Sequence, residues 1–426
     1  MHFKYGLDDR PVWGELLLFG LQWLAISIPS IIIIGKVVAV LQGGSADPIV
    51  YLQKLFLVIG LVLLVQIFWG HQLPLVVGPA TVLLIGIISS LERGSAVINA
   101  SIIIGGGILA LLAVSGLFKR LIKLFTPRVI TVILMLIAFT LAPTILNLMV
   151  GTAPVSGSAN FSFAILLTLA IFIANGLLKG IWKSTLAIWS MLVGSLVYYW
   201  FFPLYTAPQN LAGLALPGNL LPALALPDLG VLVAFLICFL ALAINDLGSI
   251  QSVGTLLKAG QMEKRITKGV TVTGAGNVLA GFFGVIGPVN FSMSPGVIAA
   301  TGCASRYALV PAAIGLLFLA FSPLTIGFIS SVPSPVIGAI MVYIMTAQIA
   351  AALLLVLESR AASAFDDGLI IGLPLMLGTI VAFLPPDIMA QFPAGLRPII
   401  TNGFVVGVLA VLILEHLVYR TRPQNT

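Results

Sequence analysis

The segment 287–296, with the sequence GPVNFSMSPG, interrupts an otherwise apolar part of the chain with residues that cannot continue a helix. A second interruption, 73–81 (LPLVVGPAT), lies at a comparable place in the first half. Inside a bilayer, backbone outside a helix persists only where protein covers its polar groups or where it lines a watery cavity. Two such breaks in the two halves of a chain are typical of a transporter's binding site.

Composition explains why these breaks are expected at membrane depth. Of the 426 residues, 60% are hydrophobic and only 8% are charged, whereas soluble domains carry about 25% charged residues. The chain is therefore expected to form one integral membrane domain, 1–426, surrounded by the lipid bilayer. Its net charge of +7 comes from small Lys and Arg clusters between apolar runs, which membrane topology explains better than nucleic-acid binding. The sequence has no catalytic triad and no metal-ligand motif, so neither an enzyme nor a cofactor is expected.

A spanning helix needs about 20 mostly apolar residues, and fourteen stretches meet or approach that length. Two of them are short because they begin at the breaks. The predicted spans are 14–35, 51–69, 74–91, 97–117, 129–149, 162–178, 185–202, 230–252, 269–287, 292–304, 308–330, 333–356, 368–384 and 399–419.

The distribution of basic residues predicts the orientation. If the N-terminus is cytoplasmic, only Lys36, Lys54, Arg93 and Arg397 of the 20 Lys and Arg residues lie outside. This asymmetry agrees with the excess of positive charge that cytoplasmic loops carry, so the protein is expected in the cytoplasmic (inner) membrane with both termini on the cytoplasmic side. Seven spans per half is an odd number, so two similar halves must have opposite orientations. The sequence thus predicts an all-α polytopic protein built as a 7+7 inverted repeat.

Each break is expected to form a short strand followed by a half-helix. Residues 75–77 and 289–292 are expected to be extended and to pair antiparallel at the membrane midplane. Pro79 and Pro295 are expected at the first helical position, where the missing N–H would have no helical partner in any case. The half-helix N-termini would then direct free N–H groups at a ligand. Two ordinary helices kinked at proline are the alternative interpretation.

Several motifs resemble the nucleobase/ascorbate transporter family, also called the uracil/xanthine permeases. They are NDLG at 245–248, the glycine-rich run GAGNVLAGFFG at 274–284, GVIAAT at 296–301, Ser305-Arg306, YGLDDRP at 5–11, GLQ at 20–22 and VPSPVIG at 332–338. The resemblance implies 14 spans, a homodimer, and a core domain beside a gate domain. The core is expected at about 14–149 and 230–356, and the gate at about 150–229 and 357–426. Substrate would lie between the broken third and tenth spans and the eighth span.

The sequence departs from the family pattern where substrate chemistry is expected. Members usually carry a glutamate in the eighth span and a glutamate or glutamine in the tenth, where this chain has Asn245 and Met293. The usual His or Asp after the first of these is Ser249, and the aromatic residue expected early in the third span is Thr81. The Asp that often precedes Gly274 is Thr273, and the His after Gln22 is Trp23. These changes affect the expected substrate more than the expected fold.

The expected substrate-site residues surround the two breaks. Nucleobases present flat amide-like edges, so they need paired donors and acceptors between apolar faces. Asn245 offers both a donor and an acceptor, or it bonds a neighbouring helix; Phe291 and Met293 contact the ring faces, or they pack in the core. The expected substrate-binding residues are Ser30, Gly78, Ala80, Thr81, Asn245, Phe291, Ser292, Met293, Ser294 and Gly296.

Asp246 is expected to act in coupling or gating, with a cap on the broken backbone as the alternative. A carboxylate inside a membrane is costly, so a function is the default interpretation. Asp246 lies about 100° around the helix from Asn245, so the two side chains cannot both face one ligand. Ser249 shares the face of Asp246 and is expected to help hold its carboxyl group or a bound cation. His2, His71 and His416 lie near span ends or at the terminus, so no histidine is expected in the core.

The leading hypothesis is a secondary transporter of nucleobases or related heterocycles, such as uracil or xanthine, that works by alternating access and couples to H⁺ or Na⁺. The half-helix N-termini also suit anions, so a sulfate- or bicarbonate-type anion transporter on the same fold is one alternative. An uncoupled facilitator is another, because the usual acidic positions are neutral.

Overall fold

The computed structural model describes residues 3–42, 47–151, 155–203, 211–218, 221–291, 293–393 and 395–419, and it is mostly helical. Two short strands, β1 (Val77–Pro79) and β2 (Pro288–Asn290), interrupt the helices. The helices are α1 (Trp13–Leu41), α2 (Pro48–Phe68), α3 (Thr81–Ser89), α4 (Ser95–Val114), α5 (Phe118–Ile122), α6 (Pro127–Thr140), α7 (Ala142–Val150), α8 (Gly157–Leu177), α9 (Gly180–Ser184), α10 (Leu186–Phe201), α11 (Leu229–Leu256), α12 (Met262–Phe283), α13 (Ser294–Thr301), α14 (Val310–Ala320), α15 (Pro323–Ile329), α16 (Ser334–Ser359), α17 (Phe365–Ala382), α18 (Pro386–Met389), α19 (Arg397–Ile400) and α20 (Gly403–Ile413).

Several helices begin where the sequence supplies a capping side chain. Asp47, Thr126 and Asp228 each accept a hydrogen bond from a first-turn amide of α2, α6 and α11, respectively. A proline follows at the start of α2 and α6, where no N–H is needed. These caps satisfy amides that have no helical partner. The helix starts are therefore encoded locally, in the loop residues that precede each apolar run.

Within the described ranges, eight helical segments are long and apolar enough to cross a membrane, judged by length and composition. They are Trp13–Leu41, Pro48–Phe68, Ser95–Val114, Pro127–Val150, Gly157–Leu177, Leu229–Leu256, Ser334–Ser359 and Phe365–Ala382. A ninth is added if Arg306–Ala320 and Pro323–Ile329, which meet at a bend of 101°, count as one span. The protein is therefore a multi-pass membrane protein.

The predicted count of fourteen spans is not confirmed by these criteria. The third and tenth predicted spans contain only the short helices α3 and α13, of 9 and 8 residues. The apolar parts of α10 and α20 are shorter than a full crossing. The ninth predicted span, α12, begins with several charged residues and is less apolar than the others. Short and partly polar helices of this kind can complete a bundle only where neighbouring helices cover them.

The helices form two packed groups. One contains α1, α2, α4, α12 and α14, with the most extensive contact between α4 and α12, and α11 and α3 join it. The other contains α6, α7, α8, α10, α16, α17 and α20. Thus α6–α7 and α16, which occupy stretches that the resemblance assigns to the core, pack mainly against helices of the expected gate.

Glycines allow the close approach of α4 and α12. A Cβ atom on Gly274 would lie 2.6 Å from the backbone nitrogen of Ala110 and 2.7 Å from the carbonyl oxygen of Gly106. A Cβ atom on Gly106 would in turn lie 2.8 Å from the Gly274 carbonyl oxygen. The two helices are therefore in backbone contact, and only glycine fits at these positions.

The two strands pair antiparallel, with Val77 opposite Asn290, Gly78 opposite Val289 and Pro79 opposite Pro288. The Ala80 amide donates to the Gly287 carbonyl at 2.9 Å, and the Phe291 amide donates to the Val76 carbonyl at 2.8 Å.

Because hydrogen-bonded and non-hydrogen-bonded pairs alternate along an antiparallel ladder, these two bonds place Pro79 and Pro288 at a non-hydrogen-bonded pair. Neither proline removes a needed donor there. Two prolines can therefore face each other inside a buried strand pair without leaving a gap in the ladder.

The predicted break in each half and the antiparallel pairing are confirmed, but the boundaries were partly wrong. The first strand is Val77–Pro79 and not 75–77, and the second is Pro288–Asn290 and not 289–292. Pro79 lies in the strand and not at the first helical position, because α3 begins at Thr81. Pro295 does lie in the first turn of α13. The difference arises from strand pairing, which uses Pro79 opposite Pro288, and local sequence does not encode that partner.

Candidate functional site

The strand pair places the two short helices α3 and α13 next to α11. Gly78 allows the Phe291 ring to approach β1 closely, because a Cβ atom at residue 78 would collide with Cζ of that ring. The Phe291 ring thus packs directly on the strand backbone. Gly78 and Ala80 are buried, whereas Thr81 and Phe291 are partly exposed. The breaks at the third and tenth predicted spans therefore form one strand-paired segment beside the eighth predicted span.

Asp246 is fully buried on α11 and accepts three hydrogen bonds. Its Oδ1 accepts from the backbone N–H of Asn290 at 3.0 Å and from Nδ2 of the same residue at 2.7 Å. Its Oδ2 accepts from the hydroxyl of Thr273 at 2.8 Å. The carboxyl group thus binds β2 to α11 and α12, and its hydrogen-bond partners among the described residues are all donors. This arrangement suits an ionised carboxylate, which is an acceptor at both oxygens.

A second layer of buried polar side chains orients these donors. Gln66 on α2 donates to Thr273 Oγ1 at 3.1 Å and to the Gly269 carbonyl at 2.9 Å. Because the Thr273 oxygen accepts from Gln66, its own proton is directed at Asp246. His71 lies 3.1 Å, through Nε2, from Oδ1 of Asn290. The whole group has no more than 1% of its surface exposed, so each member must find its hydrogen-bond partner within the protein.

His71 lies near a span end, as expected, but the expectation that it lies outside the core was wrong. The residue follows the end of α2, but the chain then turns back toward β1, and the side chain is 0% exposed. Position along the sequence indicated the span end correctly. It did not indicate that the segment after the span is buried among α2, α11 and α12.

The sequence predicted that Ser249 helps to hold the Asp246 carboxyl group or a bound cation. In the structure its hydroxyl does not contact that carboxyl group. Its hydroxyl lies 2.8 Å from the Asn245 carbonyl and 3.0 Å from the Asn290 carbonyl, so its single proton is shared between these two oxygens. Both Asp246 and Ser249 nevertheless contact Asn290, which lies between them. Asp246 therefore accepts from the N–H groups of Asn290, while Ser249 donates to its carbonyl oxygen, and both side chains hold β2 against α11.

Asn245 lies on a different face of α11 from Asp246, as helical geometry predicts. It is partly exposed, and its side chain forms no hydrogen bond to another residue in the described part of the chain. Met293 is 46% exposed, and Gly296 is exposed with nothing within 4 Å of a Cβ atom. This face offers an unpaired amide beside apolar surface.

The other predicted site residues have partners of their own. The buried hydroxyl of Ser294 accepts from the Val76 amide at 3.1 Å and donates to the Phe291 carbonyl at 3.1 Å. The hydroxyl of Ser30 donates to the Ser27 carbonyl at 2.9 Å. Ser292 lies outside the described residues. Ser294 thus ties the start of α13 to the segment before β1.

Two cavities in the described part of the protein do not include the site. A cavity of about 570 Å³ opens between α1 and the α9–α10 segment, and Gln22, Trp182 and Trp189 are among its lining residues. A smaller one of about 240 Å³ lies beside Leu247 and Gln251 of α11. Of the predicted substrate and coupling residues that the structure describes, none lines either cavity. The candidate site is therefore assigned from the broken backbone and the exposed Asn245 face, and not from cavity size.

Sequence reasoning missed four buried members of the polar group: Gln66, His71, Asn277 and Asn290. Asn277 donates to the carbonyls of Thr273 at 2.8 Å and Pro288 at 2.9 Å. One general signal was present, because an uncharged polar side chain inside an apolar stretch is also costly unless it is paired. Asn290 in addition lies inside the break itself.

Comparison with known proteins gives consistent results along the chain. The family model Xan_ur_permease, described as "Permease family", matches residues 14–387. The xanthine permease of Bacillus subtilis (strain 168) is 25% identical over 422 residues, which cover 95% of this chain and 94% of that protein. The uric acid permease PucJ of the same organism is 25% identical over 367 residues, which cover 81% of this chain and 78% of that protein.

Among solved structures, the transmembrane domain of the cyanobacterial bicarbonate transporter BicA matches with a TM-score of 0.64. The match covers 89% of this chain and 98% of that domain at 18% sequence identity. At this identity the likeness concerns the fold alone.

Proposed function

Because the chain belongs to the permease family whose model matches residues 14–387, and is therefore a transporter and not an enzyme, we propose that it carries nucleobases across the cytoplasmic membrane. Purines such as xanthine or uric acid are the first candidates, because the relatives named for those substrates match most of the chain. The pyrimidine uracil is a further candidate within the same chemical class. The observation that carries the proposal is the unpaired amide of Asn245 beside the strand pair.

The proposed architecture is fourteen spans in a 7+7 inverted repeat with both termini in the cytoplasm. Its support is the pairing of β1 with β2, each followed by a short helix, since two related halves of opposite orientation would bring equivalent segments together antiparallel. Transport then proceeds by alternating access, as a core domain moves against a gate domain. The packing of α6–α7 and α16 favours placing these helices in the gate. A homodimer in the membrane completes the proposal.

In the proposed substrate site, Asn245 hydrogen-bonds one lactam edge of the base, offering one donor and one acceptor. Phe291 and Met293 contact the ring faces. The backbone around Gly78, Ala80, Thr81 and Gly296 forms the remaining wall, with Ser30, Ser292 and Ser294 as further polar groups. A flat uncharged ring matches this combination of one amide and apolar surface.

Asp246 is proposed as the coupling group, with H⁺ or Na⁺ as the coupling ion. Its support is position, since the carboxylate binds β2 and a change in its charge would alter three hydrogen bonds to the broken backbone. Ser249 acts with it by holding the Asn290 carbonyl. Coupling through Asp246 would link ion binding to the position of the substrate-binding strand.

An uptake panel tests the proposed function. Purified protein in vesicles is expected to take up labelled xanthine, uric acid or uracil, with accumulation only when a proton or sodium gradient is imposed. Sulfate and bicarbonate serve as the controls, because the fold is shared with a bicarbonate transporter. Uptake of an anion and of no nucleobase would overturn the proposal. Nucleobase uptake without accumulation under either gradient would identify a facilitator.

Replacing Asn245 tests the proposed contact with the base. Asn245→Ala is expected to raise the dissociation constant about tenfold or more, because a lost hydrogen-bonding pair is worth about 1.4 kcal/mol. Isothermal titration with the transported base measures it. Gln251→Ala, which removes an exposed amide on another face of the same helix, should leave the constant unchanged. Equal affinity of Asn245→Ala and the unmodified protein would exclude Asn245 from the site.

A further inference from the structure

His71 is a buried titratable side chain to which the proposed function gives no role. It follows α2 in the turn that leads to β1, and its side chain is 0% exposed. Nδ1 accepts the Leu73 backbone N–H at 2.9 Å, so this nitrogen carries no proton. The proton of the neutral ring is therefore on Nε2, which donates to Oδ1 of Asn290 at 3.1 Å. The tautomer follows from these two contacts.

This donor and the Asp246 carboxylate favour the same orientation of the Asn290 amide. An asparagine amide can rotate by 180°, which exchanges its oxygen and nitrogen. With Oδ1 directed at His71, Nδ2 faces the Asp246 carboxylate and donates at 2.7 Å. In the rotated position the amide oxygen would face the carboxylate, and acceptor would meet acceptor. The His71 N–H thus stabilises the orientation in which Asn290 donates to Asp246.

The turn that contains His71 is also connected to the second oxygen of Asp246, through Gln66 and Thr273. The His71 backbone N–H donates to Oε1 of Gln66 at 3.2 Å, and Gln66 directs the Thr273 hydroxyl at Asp246 through the bond already described. Arg265 of α12 fixes the turn from outside, because its Nη1 donates to the carbonyls of both His71 and Gln72 at 2.9 Å. Both donor side chains of Asp246 therefore depend on the turn that His71 occupies.

We propose that His71 is a positioning residue for Asp246: its Nε2–H orients the Asn290 amide, and thereby holds β2 against the ionised carboxylate. The structural part of this inference stands on the hydrogen bonds alone, while its consequence for transport rests on the proposed function. The ring acts as a neutral donor throughout, and no proton leaves it.

Two substitutions separate the two hydrogen bonds of the ring. In His71→Gln the side-chain amide nitrogen can occupy the place of Nε2 and donate to Asn290, while the acceptor for Leu73 is lost. In His71→Asn the shorter side chain can accept from the Leu73 amide but does not reach Asn290. A residue that only held the turn would tolerate asparagine better than glutamine. A residue that orients Asn290 should show the opposite order.

Hydrogen exchange measured by mass spectrometry on the full-length protein in nanodiscs provides a readout that needs no substrate. In His71→Asn, peptides containing Asn290 and Phe291 are expected to exchange about tenfold faster than in the unmodified protein, since one hydrogen bond that holds the strand is lost. In His71→Gln the exchange should stay within about threefold. Equal exchange in both variants, or faster exchange in His71→Gln, would overturn the inference.

Transport gives the second readout. His71→Asn is expected to lower the maximal rate of gradient-driven uptake about tenfold with little change in KM, because the substrate face at Asn245 is untouched. His71→Gln should restore the rate to within about threefold of the unmodified protein. A loss of rate in His71→Gln that matches His71→Asn would contradict the proposed role. If the unmodified protein transports no nucleobase, the proposed function fails, and the exchange experiment still decides the role of His71.

Discussion

Asp246→Asn is expected to abolish gradient-driven accumulation of the transported base. The amide cannot carry the negative charge that an ion must neutralise, so the free energy of the gradient is no longer linked to the strand pair. Accumulation should fall to the level of equilibration, while exchange of labelled for unlabelled base across the membrane persists. Uptake into vesicles with and without an imposed gradient, on protein of verified folding, measures both.

The fold should survive this substitution because an amide oxygen can still accept from Asn290. Asparagine can direct its oxygen at the two N–H groups of that residue and its nitrogen at the Thr273 oxygen. One buried hydrogen bond is rearranged, which costs about 1–3 kcal/mol. Asp246→Asn should therefore lose gradient-driven accumulation while the amount of folded protein changes little.

Asp228→Asn is the matched control. Asp228 caps the same helix, with Oδ1 accepting the Val231 amide at 2.9 Å, and forms a partly exposed ion pair with Arg93 at 3.2 Å. Asparagine is an equally good cap, and such exposed pairs contribute about 0–1 kcal/mol. This variant should accumulate substrate normally. Normal accumulation in Asp246→Asn as well would remove that carboxylate from the coupling mechanism.

Gly274→Leu is expected to have the largest effect on stability. Even a Cβ atom at this position would lie within 2.7 Å of two backbone atoms of α4, so the side chain cannot be relieved by a rotamer change. The helices would have to separate, and Thr273, the next residue, would lose its position beside Asp246. We expect destabilisation beyond about 4 kcal/mol, seen as loss of monodisperse protein and of a cooperative thermal transition in detergent.

Gly107→Leu provides the comparison on the partner helix. Gly107 belongs to the same run of glycines on α4, but its Cβ atom would meet only Cγ2 of Val278 at 3.9 Å, an ordinary contact. Leucine also favours helix by about 0.8 kcal/mol or more over glycine. This variant should fold with a stability within about 1 kcal/mol of the original. Equal tolerance of leucine at 274 and 107 would show that the α4–α12 contact is not tight.

Much of the local architecture could be predicted from sequence. Pro74, Pro79, Pro288 and Pro295 remove backbone donors, which favours an interruption of the helix at both places. The separation of Asn245 from Asp246 follows from helical geometry, and the structure confirms it. The run of glycines at 105–107 is visible in the sequence, and a Cβ atom on Gly106 would lie 2.8 Å from the carbonyl oxygen of Gly274 on α12.

The polar group around Asp246 was only partly predictable. Asp246 stood out because a charged residue in an apolar span is rare, but its partners did not. Ser249 was chosen for its spacing on one helix, yet its hydroxyl binds the carbonyl of Asn290 in another segment. His71 was set aside because it follows a span. In both cases, the deciding neighbour comes from a distant part of the chain.

The membrane location and the helix breaks could be inferred from the chain alone, because hydropathy, proline and glycine act on neighbouring residues. The register that sets Pro79 against Pro288, the tautomer of His71 and the three donors of Asp246 became known from the folded structure. These features depend on contacts between residues far apart, such as His71 and Asn290, which are 219 positions apart. Such contacts form only when the turn after α2 is buried against β2 and α12, where each polar group must take the partner that packing brings within reach.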